Sequence, residues 1–119
     1  MKKSIVREKS KVFALSIINL YKNLTTNKKE YVISKQILRS GTSIGANVNE
    51  ALCSISKKEY LSKMYISYKE ASESQYWLEL LKESNYINEC EFDSINKKCE
   101  ELRKILSSIT KTTRENLNS

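Results

Sequence analysis

Residues that form tight turns are nearly missing from this chain. Proline is absent, and glycine occurs twice among 119 residues. A β-rich domain of this length needs many tight turns, which draw on both residue types. Because 39% of the residues are hydrophobic and 29% are charged, the composition is that of a globular protein rather than a disordered one. We therefore expect long helices joined by short loops in a single domain, residues 1–119.

Apolar residues recur at helical spacing in four segments, with expected bounds of about 4–24, 29–54, 57–84 and 89–110. The third segment begins with the capping-box pair Ser56 and Glu59, and the fourth begins with the weaker pair Asn88 and Glu91. Short connections make successive helices antiparallel, so the predicted fold is all-α, an up-down-up-down four-helix bundle. Beyond it, residues 111–119 are expected to form a frayed basic tail.

The second segment contains both glycines, Gly41 and Gly45, four residues apart. Each costs about 1 kcal/mol relative to alanine inside a helix. One interpretation is a kink or break in the helix. We favour the other, close approach of a neighbouring helix, because Ser40 and Ala46 are small as well. The apolar side of this segment is expected to comprise Ile33, Ile37, Ile44, Val48, Ala51 and Ile55.

A line of polar residues runs beside that apolar side, at Gln36, Arg39, Ser43, Asn47 and Glu50. The third segment carries a complementary line that includes Glu70, Glu73 and Trp77. Arg39 could pair with either glutamate, and Asn47 could bridge to a carboxylate. Polar groups at such positions must satisfy one another if they are buried. The two lines predict a hydrogen-bonded network that fixes helix register or a subunit contact, or alternatively a site that binds a ligand or RNA.

Catalytic groups are scarce in the sequence. Histidine is absent, and the three cysteines, Cys53, Cys90 and Cys99, show no CxxC spacing. Di-metal helical bundles need Glu-x-x-His motifs, and hydrolytic triads need a histidine base. We therefore expect a protein that is not an enzyme and that takes no cofactor, metal or small-molecule substrate. Cys99 falls on an apolar seam, so it is expected to be buried rather than reactive.

The chain carries a net charge of +7, and the excess is greatest near its start. The candidates for nucleic-acid contact there are Lys2, Lys3, Arg7, Lys9 and Lys11. Such a surplus fits an RNA or DNA partner, although a solvated lysine-rich surface has the same composition. No signal peptide or membrane-spanning stretch is recognisable, and the cysteines are odd in number. The expected location is therefore the cytoplasm, with no membrane partner.

A combined motif extends over the second and third segments: Gln36 and Arg39, then Ser43-Ile44-x-Ala46-Asn47, Glu50-Ala51, Lys58-Glu59-Tyr60, Glu70-Ala71-x-Glu73 and Trp77-Leu78. With this motif the chain resembles a bacterial four-helix-bundle family that includes the proteins encoded in intervening sequences of 23S ribosomal RNA genes. The resemblance implies a ring-like homopentamer. More distantly, the chain is similar to accessory proteins of diversity-generating retroelements, which bind nucleic acid and a reverse transcriptase.

From these resemblances we expect an oligomeric, non-enzymatic protein that binds RNA or a ribonucleoprotein through basic surfaces. The alternative is a protein–protein interaction module or accessory subunit, for example to a reverse transcriptase, with no direct role in nucleic-acid binding. The two differ in whether affinity for RNA exists and falls steeply with salt.

Overall fold

The computed structural model describes residues 4–118. They form four helices: α1 Ile5–Thr26, α2 Ile33–Leu52, α3 Lys57–Glu83 and α4 Glu89–Asn118. α1 packs against α2 and α4, and α3 packs against α2 and α4. Because the loops are short, successive helices run antiparallel. The predicted all-α four-helix bundle is confirmed, and it is a rod of 50 × 24 × 22 Å.

The two predicted capping pairs begin α3 and α4. The Ser56 hydroxyl accepts from the Glu59 N–H at 3.0 Å. The Asn88 side chain accepts from the Glu91 N–H at 2.8 Å, and the Glu91 carboxylate accepts from the Asn88 N–H at 3.2 Å. Each cap supplies a partner to backbone N–H groups that have no acceptor within the helix, and it fixes where the helix begins.

α2 begins at Ile33 rather than at the predicted residue 29. Lys29 has a φ of 57°, which is left-handed and interrupts the helical pattern. The buried Glu30 carboxylate then accepts from the N–H groups of Val32, Ile33 and Ser34 at 3.1, 2.9 and 2.7 Å. Burial alone would raise the pKa of Glu30, but these backbone hydrogen bonds outweigh it and lower the pKa. Glu30 is therefore the cap of α2.

Two other sequence-based expectations need correction. Ile55 lies in the turn between α2 and α3 and is 96% exposed, so it is not part of the apolar side of α2. α4 does not end near residue 110 but continues to Asn118, so the expected frayed tail is helical as far as that residue. No glycine or proline interrupts this stretch, Thr110 is buried, and the Thr113 hydroxyl donates to the Ile109 carbonyl at 2.7 Å.

The core is an apolar column to which all four helices contribute. Its largest fully buried side chains include Phe13, Ile17, Leu24, Ile37, Ile44, Met64, Leu78, Leu81, Leu102 and Leu106. Cys99 is buried among them, as predicted, and its thiol donates to the Ala71 carbonyl at 3.3 Å. Burial raises the pKa of Cys99 to about 12. The thiol is therefore protonated at neutral pH and serves as a small packing group.

The glycines of α2 allow α1 to pack closely. A Cβ at Gly41 would lie 2.9 Å from Ile17 Cγ1, and a Cβ at Gly45 would lie 3.2 Å from Ser10 Oγ. α2 is continuous through both positions. Close approach, the interpretation favoured from the sequence, is therefore confirmed, and the helix is not broken here.

Buried hydroxyl groups join α2 to α3. The Ser40 and Ser74 oxygens lie 2.8 Å apart, and the Ser67 hydroxyl donates to the Ile44 carbonyl at 2.8 Å. Such short side chains bond across the contact only if the helices are close and in one register. This register places the starts of α1 and α3 and the ends of α2 and α4 at one end of the bundle.

Candidate functional site

Arg39 links α2 to α3 on the surface of the bundle. Its Nη1 donates to Glu70 Oε2 at 2.9 Å, and its Nη2 donates to the Glu73 carboxylate. The Trp77 indole N–H donates to the same Glu73 oxygen at 2.9 Å. The hydrogen bond to Glu73, helped by both negative charges, raises the pKa of Arg39. Four residues of the predicted polar lines thus form one cluster, the Arg39 cluster.

The next two members of the α2 line bond to their own helix. The Ser43 hydroxyl donates to the Arg39 carbonyl at 2.6 Å, and the Asn47 amide donates to the Ser43 carbonyl at 2.9 Å. The predicted bridge from Asn47 to a carboxylate is therefore wrong, because its amide reaches the preceding turn instead. Both side chains are half-buried, and each adds a second hydrogen bond to a carbonyl of its own helix.

The two ends of the same line are exposed to solvent. Gln36 has no side-chain hydrogen bond to any described residue, and Glu50 forms an ion pair with Lys63 at 3.4 Å. Arg39 is also more than half exposed in its side chain. The predicted polar line is thus a surface feature beside the core. It leaves Arg39 half exposed and Glu73 about one-third exposed, while Glu70 is mostly covered.

A second polar seam, between α3 and α4, was not predicted. The Gln75 amide donates to Asn96 Oδ1 at 3.2 Å and to Glu100 Oε2 at 2.7 Å. Arg103 donates to the other Glu100 oxygen at 2.9 Å, and this bond is the main cause of the lowered pKa of Glu100. The sequence signal was Gln75 itself, a polar residue in an otherwise apolar seam. The network fixes the register of α3 against α4.

The basic residues predicted to contact nucleic acid are Lys2, Lys3, Arg7, Lys9 and Lys11. The first two lie outside the described residues. Arg7 donates through Nε to Asn49 Oδ1 at 3.0 Å, and Lys9 forms an ion pair with Glu101. Lys11 is exposed and has no ion-pair partner between residues 4 and 118. Lys9 is therefore partly neutralised, while Arg7 and Lys11 keep their charge available.

The register divides the charges of the bundle unevenly. The half where α1 and α3 begin comprises residues 4–15, 42–70 and 101–118. Six glutamates lie in it against eleven basic residues, namely Arg7, Lys9, Lys11, Lys57, Lys58, Lys63, Lys69, Arg103, Lys104, Lys111 and Arg114. The other half, residues 16–41 and 71–100, has eight basic and eight acidic residues. All the net positive charge of the described residues thus lies in the first half, the basic half.

The tip of the basic half carries cations that make no ion pair with described residues. Lys57 and Lys58 occupy the first turn of α3, and Lys111 and Arg114 lie level with them on α4. All four are exposed. The N-terminus of a helix favours negative charge, so lysines in the first turn of α3 lower stability slightly. Their charge is available to an external anion.

Three geometric findings concern other kinds of site. Between residues 4 and 118, no three side chains among histidine, cysteine, aspartate and glutamate are close enough to hold a metal ion. Over the same residues, no helix is long and apolar enough to cross a membrane. A hollow of about 400 Å³ lies between α1 and α4 and is lined by apolar and charged side chains, including Ile5, Val12 and Glu101.

The fold and this surface define a four-helix-bundle protein with one basic half. The sequence profile of the 23S rRNA-intervening sequence proteins matches residues 2–108. The chain also matches the crystal structure of a protein of unknown function from the S23 ribosomal protein family of Bacteroides thetaiotaomicron VPI-5482. Identity is 50% over 90% of this chain and 99% of that chain, with a TM-score of 0.89. A comparison with curated proteins returns no match. The chain belongs to the 23S rRNA-intervening sequence protein family, and the resemblance inferred from its sequence is confirmed.

Proposed function

We propose that this protein is a non-enzymatic, self-associating bundle that binds RNA through its basic half. The observation that carries the proposal is the charge separation, since the half where α1 and α3 begin holds all the net positive charge of the described residues. A surface of this kind attracts a polyanion and holds it through its phosphates, without reading sequence.

The placement of Lys57 and Lys58 supports a role in binding rather than in folding. Each stands in the first turn of α3, where the helix dipole disfavours a cation, and neither has an ion-pair partner between residues 4 and 118. Charges that lower stability and remain unpaired are typical of functional surfaces. Arg7 and Lys11 lie in the same half, so the N-terminal candidates and the tip of α3 form parts of one electropositive region.

Self-association is proposed on the resemblance and on the Arg39 cluster. The cluster presents Arg39 and part of Glu73 on an accessible surface, where a second copy of the chain could share their hydrogen bonds. The resemblance implies five copies in a ring. A ring would multiply the basic halves that one RNA molecule meets, and binding to several of them would raise the overall affinity without new contacts.

A second candidate function, docking of another protein without RNA, has one observation in its favour. Ile5, Val12 and Leu15 follow one side of α1, and each is more than half exposed, at 67, 52 and 54%. Exposed apolar side chains at helical spacing are typical of surfaces that bind another helix. This function predicts no salt-dependent affinity for RNA.

The deciding experiment is RNA binding by the full-length chain in increasing KCl. A fragment of ribosomal RNA is the natural first probe, because the family name refers to 23S rRNA. Affinity should fall linearly on a log–log plot. Replacing Lys57 and Lys58 by Gln should reduce the slope by about 1.4, that is about 0.7 for each lost contact to a single strand.

The matched control replaces Lys28 and Lys35 by Gln. Both are exposed lysines of the electrically balanced half, so the same change in net charge is made at the other end of the bundle. The control should retain the slope of the unchanged protein. Equal losses in the two variants would contradict a localised site, and absence of RNA binding at low salt would refute the proposal.

A further inference from the structure

One exposed stripe of α3 carries lysine, serine and tyrosine twice in the same order. Its members, spaced four, three, four, three and four residues apart, are Lys58, Ser62, Tyr65, Lys69, Ser72 and Tyr76. All six are exposed, and none is acidic. The stripe begins at the tip of the basic half and runs along the outer side of α3.

The two tyrosines of the stripe expose much of their side chains to solvent. Tyr65 is 43% exposed and Tyr76 is 53% exposed. Each rests on a partly buried aromatic neighbour: Tyr65 stacks on Tyr68 at 6.0 Å between centroids, and Tyr76 meets the Trp77 ring edge-on at 5.1 Å. Trp77 is in turn held by its hydrogen bond to Glu73. The exposed rings are thus braced before any ligand arrives, which lowers the entropy lost on binding.

The lysines of the stripe are exposed and available to the phosphates of a bound strand. The Lys69 ammonium lies over the Tyr65 ring in a cation–π contact, 5.8 Å from the ring centroid, and it makes no ion pair with residues 4–118. Lys58 is likewise unpaired over those residues. Glu70 and Glu73 are engaged by Arg39 on the neighbouring side of the helix, whereas the exposed Glu59 and Glu79 flank the two ends of the stripe. The middle of the stripe, around Tyr65 and Lys69, therefore offers a ring and a cation with little competing negative charge.

The class of RNA follows from this combination. In a duplex the faces of the bases are stacked on one another, whereas a single strand can turn its bases onto aromatic side chains. Tyr65 and Tyr76 are eleven residues apart on the helix, about 16 Å along its axis, so they would engage separate bases. We propose that this stripe is a track for single-stranded RNA, with bases on the tyrosines and phosphates on the lysines; this inference rests on the RNA binding proposed above.

The test compares a single-stranded oligonucleotide with a hairpin duplex of the same composition, using the double variant Tyr65→Ala/Tyr76→Ala. Its affinity for the single strand should fall at least about tenfold, since each stacked base contributes several-fold or more. Its affinity for the duplex should stay unchanged. Tyr65→Phe/Tyr76→Phe, which keeps the rings, should bind as the unchanged protein does. The control Tyr31→Ala removes a tyrosine that is 51% exposed but belongs to the α1–α2 loop, and it should have no effect.

A second readout uses the only tryptophan of the chain, Trp77. Because its ring touches Tyr76, stacking of a base there should change its fluorescence, and the double alanine variant should lose the change. If RNA binds but the alanine variant retains full affinity for the single strand, or the unchanged protein binds the duplex equally well, the track is refuted while the proposed function stands. If the variant changes the oligomer mass and not RNA affinity, the stripe is a subunit contact. If no RNA binds at all, both proposals fail.

Discussion

Gly41 of α2 lies directly against Ile17 of α1. A methyl group on Gly41 would stand 2.9 Å from one γ-carbon of Ile17 and 3.0 Å from the other. Ile17 is fully buried and branched at Cβ, which restricts the rotamers into which it could retreat. The separation of the two helices is therefore set by the absence of a side chain at this position.

Gly41→Ala should lower the free energy of unfolding. The clash costs about 1–3 kcal/mol, and the better helix propensity of alanine returns only about 1 kcal/mol of it. Gly45→Ala is the matched control, because the added methyl meets the smaller Ser10 side chain at 3.2 Å. It should unfold at a higher temperature than Gly41→Ala in calorimetry. A Gly41→Ala protein as stable as the parent would show that the helices can separate freely.

Arg39→Ala should act on assembly more than on folding. The side chain is half exposed, so loss of its ion pairs costs under about 1 kcal/mol of protomer stability. The substitution leaves Glu70 and Glu73 without their shared cation, however. If the cluster binds a second copy of the chain, the oligomer mass measured by light scattering should fall. Gln36→Ala, on the same surface and without a side-chain hydrogen bond to other described residues, should change neither property. Parent-like mass and melting temperature for Arg39→Ala would exclude this role.

The cap formed by Glu30 should make stability depend on pH. The pKa of this carboxyl is below its ordinary value of 4.5 in the folded chain, so its contribution is complete above pH 4.5 and is lost as the pH falls through the folded pKa. Glu30→Gln should lower the melting temperature at pH 7, and the difference from the parent should shrink on acidification. Glu83→Gln, an exposed change of the same type, should show no such trend. A constant difference from pH 7 to pH 3 would contradict this account.

Lys57→Glu should separate stability from binding. An anion in the first turn of α3 complements the helix dipole, so the melting temperature should rise by an amount equivalent to about 0.3–1 kcal/mol. The same change should weaken RNA binding. Lys28→Glu, in the loop before α2, should leave both nearly unchanged. If the Lys57→Glu protein became more stable and bound RNA as tightly as the parent, the tip of α3 would not be part of the RNA surface.

The features predictable from sequence are those that depend on neighbours along the chain. The caps at Ser56 and Asn88 and the burial of Cys99 follow from spacing alone, because a helix brings residues three and four apart together. The pairing of Arg39 with Glu70 and Glu73 was also recognisable, once two helices were assumed to pack side by side.

Other features depend on contacts that spacing does not encode. The capping role of Glu30 was not predicted, because the helical pattern in the sequence begins at residue 29. The left-handed conformation of Lys29 shows that the chain turns before α2 begins. Ile55 fits the apolar period of α2, but the helix has already ended before it. The basic half could not be seen at all from the sequence, since it joins three stretches of chain that become neighbours only through the register of the bundle.

α1 begins and α4 ends at the same end of the rod, and this arrangement affects how RNA binding should be measured. A purification tag joined to either terminus would lie near Lys57 and Lys111. A histidine-rich tag there would compete with these lysines for phosphates, and an acidic tag would pair with the lysines and mask their charge. Lys28, an exposed residue of the loop at the opposite end of the rod, is the better place for a label. Binding should be measured on protein whose termini have been freed of tags.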